Sequence, residues 1–403
     1  MGKQVGMTLV DAPTRPRPSS GPTTTSGTRL HDLDALRGAV MLLGIALHSA
    51  LPFFSTIWPV PDSSASTDNY FDEFVQAVHG FRMQLFFLLS GFFTALLLHR
   101  RGLRALLAHR SKRVGIPFLI GLITVVPLIE LAAAGAALPE GGFSGVGTGA
   151  PTNTEWFTPR QNLHHLWFLW FLCIYVAVIA LAHHLTAWRP RMPRVVRTAV
   201  LAGLVLVPVV MQYPMVGSGP TRTFGPTLPN HLLPEPAPLV YYAAFFAVGY
   251  LLWTTRTRDG RLAIELVGRG WPGILAVSLL VVFPLARAAT WDDIEAPILP
   301  AAVLQTIYAW GMVVGLIGLF RWALRRERRG VRYLADASYW IYLMHLPLVI
   351  AFHRAIHSWD APASAKFTAL CVSVTAVLLV TYQWGVRYTV IGRVLHGART
   401  RPA

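Results

Sequence analysis

About ten apolar stretches, each near the roughly 20 residues that a helix needs to cross a bilayer, follow one another along this chain of 403 residues. Inside lipid every backbone N–H and C=O must be paired within the protein, so continuous apolar segments of this length fold as helices. They run approximately over 36–54, 78–98, 114–134, 165–187, 198–216, 239–253, 271–289, 300–322, 334–353 and 367–384. The sixth is short, and the fifth carries Pro208 and Pro214. A content of 54% hydrophobic and only 13% charged residues excludes an ordinary soluble domain. The expected fold class is all-α: a polytopic membrane bundle of about ten transmembrane helices around a polar cavity that opens to both sides.

A net charge of +16 raises nucleic acid as a partner, and its distribution removes it. Basic clusters recur between alternate stretches: Arg100, Arg101, Arg104, Arg110, Lys112 and Arg113; then Arg189, Arg191, Arg194 and Arg197; then Arg256, Arg258 and Arg261; then Arg325, Arg326, Arg328, Arg329 and Arg332. The intervening connections are nearly free of Lys and Arg, and one, Asp292-Asp293-Ile294-Glu295, is acidic. This is the positive-inside pattern, and with an even number of spans it puts both termini of a multi-pass cell-membrane protein in the cytoplasm. Taken singly, most of these arginines read as topology signals or as contacts to membrane lipids. Residues 1–30, rich in Pro, Ser, Thr and Gly, are expected to be a disordered cytoplasmic tail rather than a signal peptide. Residues 31–390 are then the membrane domain and 391–403 a basic cytoplasmic tail. The glycine-rich run within 138–163 lacks both the preceding strand and the following Lys-Ser/Thr of a phosphate loop, so it reads as a flexible loop over an outward cavity. Cys173 and Cys371 fall inside spans and count as small apolar residues.

The first stretch holds two ionisable side chains, Arg37 and His48, which need a reason to be there. A charge in hydrocarbon costs roughly 2.5–3.5 kcal/mol on insertion scales, so such residues face protein or a water-filled cavity. Eleven positions of helix turn through about 1100°, which leaves the two side chains about 20° apart on one face. The same offset is about 16 Å of rise, so an arginine near one surface stands in line with a histidine past the midplane. One end is suited to hold an anion and the other to move a proton. Imidazole is the side chain whose ordinary pKa suits general-base work, and it also serves as a covalent nucleophile; both routes are open to His48.

Further along the chain, several segments combine in a fixed order. His31-Asp32-Leu33-Asp34-Ala35-Leu36-Arg37-Gly38 leads into the first span. Phe81-Arg82-Met83-Gln84-Leu85-Phe86-Phe87 lies in the second, and Arg113-Val114-Gly115-Ile116-Pro117 follows a basic stretch. His165-Leu166-Trp167-Phe168-Leu169-Trp170 opens the fourth span, and Ser338-Tyr339-Trp340-Ile341-Tyr342-Leu343-Met344-His345-Leu346-Pro347 lies in the ninth. This set resembles the acyltransferase 3 family of integral membrane O-acyltransferases. Within it, the form around Arg82 and the run Met41-Leu42-Leu43-Gly44-Ile45 look most like the glucan biosynthesis protein C branch, associated with succinylation of periplasmic glucans.

The resemblance implies transfer of an acyl group, acetyl or succinyl, from cytoplasmic acyl-coenzyme A to a hydroxyl of an extracytoplasmic carbohydrate, with no permanently bound cofactor and no metal. The family's arginine, ten intervening residues and histidine match Arg37 and His48 without a gap, and the histidine is the family's essential catalytic residue. Its basic motif after the second span matches the stretch 110–113, which makes Arg110 and Arg113 candidates for the coenzyme. Arg37, near the cytoplasmic side, fits coenzyme A phosphate or the developing oxyanion.

The remaining candidates each have a plainer reading. Arg82 binds the acceptor or forms an ion pair with Asp72 or Glu73. His79 is a helix-end histidine or a catalyst. His165 and Trp167 touch a sugar or belong to an interfacial aromatic belt with Trp170. Tyr342 and His345, on one helical face with Tyr339, take part in the reaction or hold helices together. Ser90-Gly91 permits close helix packing. Two other classes compete: a secondary transporter of a glycan or organic acid, and a haem protein using His48, His79, His165 and His345 as ligands.

Overall fold

The computed structural model describes residues 31–54, 58–66, 70–134, 163–185, 194–255, 262–324, 328–397 and 399. The expected tail 1–30 and the glycine-rich run of 138–163 lie outside them. Helix α1 (His31–Ala50) opens with Asp32 and Asp34 in its first turn, where carboxylates complement the positive end of the helix dipole. Helix α2 (Tyr70–Arg110) is interrupted at Gly102, whose φ of 78° only glycine adopts at low cost. A π turn over Ser111–Gly115 then leads into α3 (Ile116–Ala133). Helices α4 (Trp167–Leu185), α5 (Arg194–Val216) and α6 (Pro236–Thr254) follow. Next, α7 (Trp271–Val277) and α8 (Phe283–Trp291) are joined by a π turn into one 21-residue span. Helices α9 (Ile298–Ala323), α10 (Arg329–Ile356), α11 (Ala363–Thr381) and the short α12 (Val390–Leu395) complete the chain.

Nine helical segments among the described residues are long and apolar enough to cross a membrane. One of them, Tyr70–Ala133, has 64 residues. Straight, it would measure roughly 96 Å, three times the hydrocarbon thickness of a bilayer. The break at Gly102 divides it into two crossings, which accounts for the ten stretches of the sequence. Pro208 and Pro214 both lie within the continuous α5.

Backbone contact, made possible by glycine, sets the inner packing. A Cβ at Gly91 of α2 would stand 1.9 Å from the Phe246 carbonyl oxygen of α6, and one at Gly249 of α6 1.9 Å from that of Leu88. Without a hydrophobic force between helices in lipid, such close approach is how spans associate, as Ser90-Gly91 led us to expect. Helix α1 packs on α2, α9, α10 and α11 and is thereby central. Of the apolar windows, 61% of α10 is buried against 11% of α5, which makes α10 an interior helix and α5 a peripheral one. In the segment expected as a C-terminal tail, Leu395 is buried, and Arg399 pairs with Asp336 of α10 at 2.7 Å. Cys173 and Cys371 are free thiols.

Candidate active site

Helix α1 presents Val40, Met41, Gly44, Leu47 and His48, and the turn after it Leu51, to a cavity of about 160 Å³. These positions are three or four apart and form one stripe of the helix, on which Arg37 is the next residue down. Helix α2 contributes His79, Arg82, Met83 and Phe86, and α10 contributes Tyr342, His345, Leu346 and Ile350. His164 and His165 come from the 3-10 turn before α4, Trp167 and Phe168 from the start of α4, and Trp58, Pro59, Leu228 and Asn230 from connections. The cavity therefore occupies the half of the bundle remote from Arg37. The expectation of a polar cavity open to both sides needs correction. Most lining side chains are apolar, and the lining stops at Val40, about one helical turn short of Arg37. An apolar wall with a few convergent polar groups is the usual form of a small-molecule site.

Three of the five histidines on this wall are in ring contact. The rings of His48 and His345 lie 5.0 Å apart and those of His345 and His165 5.1 Å, which leaves no gap for a haem macrocycle between them. His345 Nδ1 is 2.8 Å from the Tyr342 carbonyl oxygen and 3.1 Å from that of Ile341. Carbonyls only accept, so Nδ1 carries the proton and Nε2 of the neutral ring presents a lone pair. In His165 the order is reversed: Nε2 donates to the Leu343 carbonyl at 3.2 Å and leaves Nδ1 bare. His345 Nε2, His165 Nδ1, His48 Nδ1 and Arg82 Nε are all buried without a hydrogen-bond partner. Buried polar atoms nearly always find partners, so four such atoms on residues of one cavity mark a place shaped for the polar groups of a ligand.

Arg82 reaches across from α2 to α1, where the missing side chain of Gly44 makes room for its guanidinium. A Cβ at Gly44 would stand 2.8 Å from Arg82 Nη1 and 3.7 Å from His345 Nε2. The ion pair with Asp72 or Glu73 does not form. Those carboxylates meet Arg287 of α8 instead, Asp72 at 3.9 Å, and no carboxylate among the described residues pairs with Arg82. The belt reading of His165 and Trp167 is also corrected, because both are buried against the cavity. His164, at φ 43°, turns the chain just before His165. Trp170 lies outside the cavity, stacked on Phe118 at 5.6 Å. The Tyr342 hydroxyl donates to the His165 carbonyl at 2.6 Å and fixes α10 against the start of α4.

Arg37, Arg110 and Arg113 form a second group at the other end of the α1 stripe. Both Arg110 and Arg113 lie within Coulombic reach of Arg37. Arg37 is 40% exposed and 3.6 Å from Asp34. Arg110 donates to Thr94 Oγ1 at 2.7 Å, and Arg113 to the Leu395 carbonyl at 3.4 Å. The Tyr339 hydroxyl donates to the Arg113 carbonyl at 2.6 Å. None of the three arginines lines the cavity.

Sequence reasoning missed Trp58 and Asn230 and set His79 at the edge of a helix. His79 lines the cavity with Nε2 on the Pro226 carbonyl at 2.9 Å. Trp58 is held by His353 Nδ1 at 3.1 Å, His353 Nε2 by Asp62 Oδ2 at 2.9 Å, and Asp62 Oδ1 by Lys366 at 3.0 Å. Burial opposes ionisation of Asp62, but the hydroxyl and N–H of Ser64, then Lys366 and His353, outweigh it and hold the carboxyl below its usual range. The one sequence signal was Lys366, a lone cation beside an apolar stretch.

A family model described as an acyltransferase domain matches residues 30–383. Glucans biosynthesis protein C of Escherichia coli strain SMS-3-5 / SECEC is 25% identical over 380 residues, covering 88% of this chain and 91% of its own. The protein of the same name from strain K12 gives the same identity and coverage. No solved structure matches. With the family match running from the start of α1 into the last span, this multi-pass membrane protein is an acyltransferase and belongs to the acyltransferase 3 family.

Proposed function

We propose that the protein moves an acetyl or succinyl group from cytoplasmic acyl-coenzyme A to a hydroxyl of an extracytoplasmic glycan or glycoconjugate, with no resident cofactor. The observation that supports this reading best is that His48, His165, His345 and Arg82, each with a buried polar atom lacking a hydrogen-bond partner, line one cavity, in line along α1 with the Arg37, Arg110 and Arg113 group. Those arginines suit the phosphates of the coenzyme, and the positive-inside pattern favours the cytoplasm for that end. The name of the two relatives, which speaks of glucans, favours a carbohydrate acceptor.

The acceptor hydroxyl is a weak nucleophile until its proton is taken. His48 takes that proton as the oxygen attacks the thioester carbon. A carbon–oxygen bond forms and the carbonyl oxygen becomes an oxyanion, for which Arg82 supplies positive charge in a water-poor site. The carbon–sulfur bond then breaks, and the imidazolium returns its proton to the departing thiolate, so coenzyme A leaves as a thiol. The bare Nε2 of His345, in ring contact with His48, accepts a hydrogen bond from the nucleophile or from the His48 ring and holds it in place. His165, Trp167 and Tyr342 form the wall against which the acceptor is held.

The test is product formation by protein reconstituted in liposomes, with acetyl- or succinyl-coenzyme A at the cytoplasmic face and short gluco-oligosaccharides at the other. His48→Gln, which keeps hydrogen bonding and lacks basicity, is expected to lose about a hundredfold or more in rate. Substantial activity in His48→Gln would overturn the assignment and move the base to His345.

A further inference from the structure

Trp58, Asp62, His353 and Lys366 form a chain of hydrogen bonds that the proposed acyl transfer does not use. The indole N–H of Trp58 is only a donor, so the His353 Nδ1 it reaches at 3.1 Å must carry a lone pair, and His353 Nε2 carries the proton toward Asp62 Oδ2. Asp62 Oδ1 accepts from Lys366 at 3.0 Å and from the Ser64 hydroxyl and N–H at 2.6 and 2.8 Å. Lys366 also donates to Ser63 Oγ at 2.8 Å and to the His357 carbonyl at 3.1 Å. Every donor direction in the chain is therefore set, from the ammonium on α11 through α10 to the indole. The side chains of Asp62, His353 and Lys366 are 0% exposed.

A buried ion pair is weak evidence for stability, since apolar groups of the same volume often serve as well. What such a network does give is one fixed geometry. Here its free end is Trp58, a cavity-lining side chain in the connection that follows α1. That connection lies at the opposite end of the α1 stripe from Arg37. Under the proposed function, a group entering at this end is the acceptor and not the coenzyme. A pyranose ring offers a face of C–H groups that packs on a flat aromatic surface, and a rigid indole provides one at small entropic cost.

We propose that Trp58 is the aromatic platform for a sugar ring of the acceptor, and that the Lys366–Asp62–His353 chain is the positioning device that fixes its plane. The proposal rests on the glycan-acceptor reading above. It assigns Trp58 to acceptor specificity, and makes His353 and Asp62 residues that act only through Trp58.

The experiment measures KM separately for short gluco-oligosaccharides and for acyl-coenzyme A in liposomes holding the parent, Trp58→Phe, Trp58→Leu and His353→Leu proteins. Trp58→Phe keeps a flat ring but loses the anchoring N–H, whereas Trp58→Leu fills space without a flat face. Expected are a rise of roughly tenfold in acceptor KM for Trp58→Leu and a smaller one for Trp58→Phe, with donor KM unchanged. His353→Leu should raise acceptor KM alone, and combined with Trp58→Leu should add little, as residues acting in series do. An acceptor KM within about twofold of the parent in Trp58→Leu, or an equal rise in donor KM, would overturn the platform. If Trp58→Leu does not fold, Trp58→Phe decides by the same two constants, and an unchanged acceptor KM there refutes the anchoring. A parent protein that forms no acylated product at all would instead sink the glycan-acceptor reading, so the two failures are distinguishable.

Discussion

Gly44→Ala should uncouple stability from activity. An ideal Cβ there stands 2.8 Å from Arg82 Nη1, where ordinary contact needs about 3.5 Å, so the guanidinium must retreat by roughly 0.7 Å. His345 Nε2, at 3.7 Å, is left in ordinary contact. Gly44 lies in the interior of α1, where alanine is the better helix former by about 0.8–1.0 kcal/mol. The melting temperature in detergent is thus expected to hold or rise. Misplacement of a catalytic group by 1 Å costs about a hundredfold, so a shift of this size should lower kcat about 25-fold. Initial rates of acyl transfer in liposomes, set beside thermal unfolding of the same preparations, provide the comparison. The decisive control is the Arg82→Lys background, which keeps the charge and lacks the planar fork. If Gly44 acts through Arg82, adding Gly44→Ala there costs little more. Unchanged kcat, or a kcat that falls in step with the melting temperature, would refute the reasoning.

Arg37→Lys, which keeps the charge but not the bidentate geometry, should raise the KM for acyl-coenzyme A while the protein remains folded; equal donor affinity in Arg37→Ala and parent would count against the donor role. For orientation, Leu233→Cys, at a position 86% exposed in the connection before α6, should react with an impermeant thiol reagent from outside the cell, and Ser111→Cys should not; the reverse pattern would invert the membrane orientation. Asp62 links stability to acid. Its carboxyl titrates below the ordinary value of 3.8 in the folded protein, so its contribution is complete above that value and is lost as pH falls through the lower folded value. The melting temperature of the parent should therefore drop in that acid range with a component that Asp62→Asn lacks, and identical acid profiles for the two would contradict it.

How much of this was legible in the sequence depends on the range of the contacts. The stripe from Arg37 to His48 follows from helix geometry alone, because both residues lie in one element and their phase is set by 3.6 residues per turn. The same arithmetic put Tyr339, Tyr342 and His345 on one face, and the structure turns Tyr342 and His345 toward the cavity. Apolar length gave the spans, and the basic run from Arg100 to Arg113 already divided 78–98 from 114–134; the break at Gly102 within one continuous helical segment is what the sequence did not show. Partners across helices were not legible. Arg82 was offered Asp72 and Glu73 because they are near in sequence, yet it rests on Gly44, while both carboxylates turn to Arg287.

The Trp58 network shows why that failure is physical. Its links join residues 295, 291 and 304 positions apart, and no periodicity relates the connection after α1 to the ends of α10 and α11. A buried ion pair does leave one trace, since charges at the edge of an apolar stretch cost free energy unless paired. Lys366, directly before the stretch 367–384, has that property, whereas Asp62, in the connection after the first stretch, does not. The structure thus divides the site by origin. The groups assigned to proton transfer come from single helices whose phase the sequence fixes locally, whereas the groups that orient them, Gly44 under Arg82 and His353 behind Trp58, act across helices. Substitutions of the second kind are therefore where geometry can be changed without changing the chemical groups, which is why Gly44→Ala is a sharper test of the site than removal of a histidine.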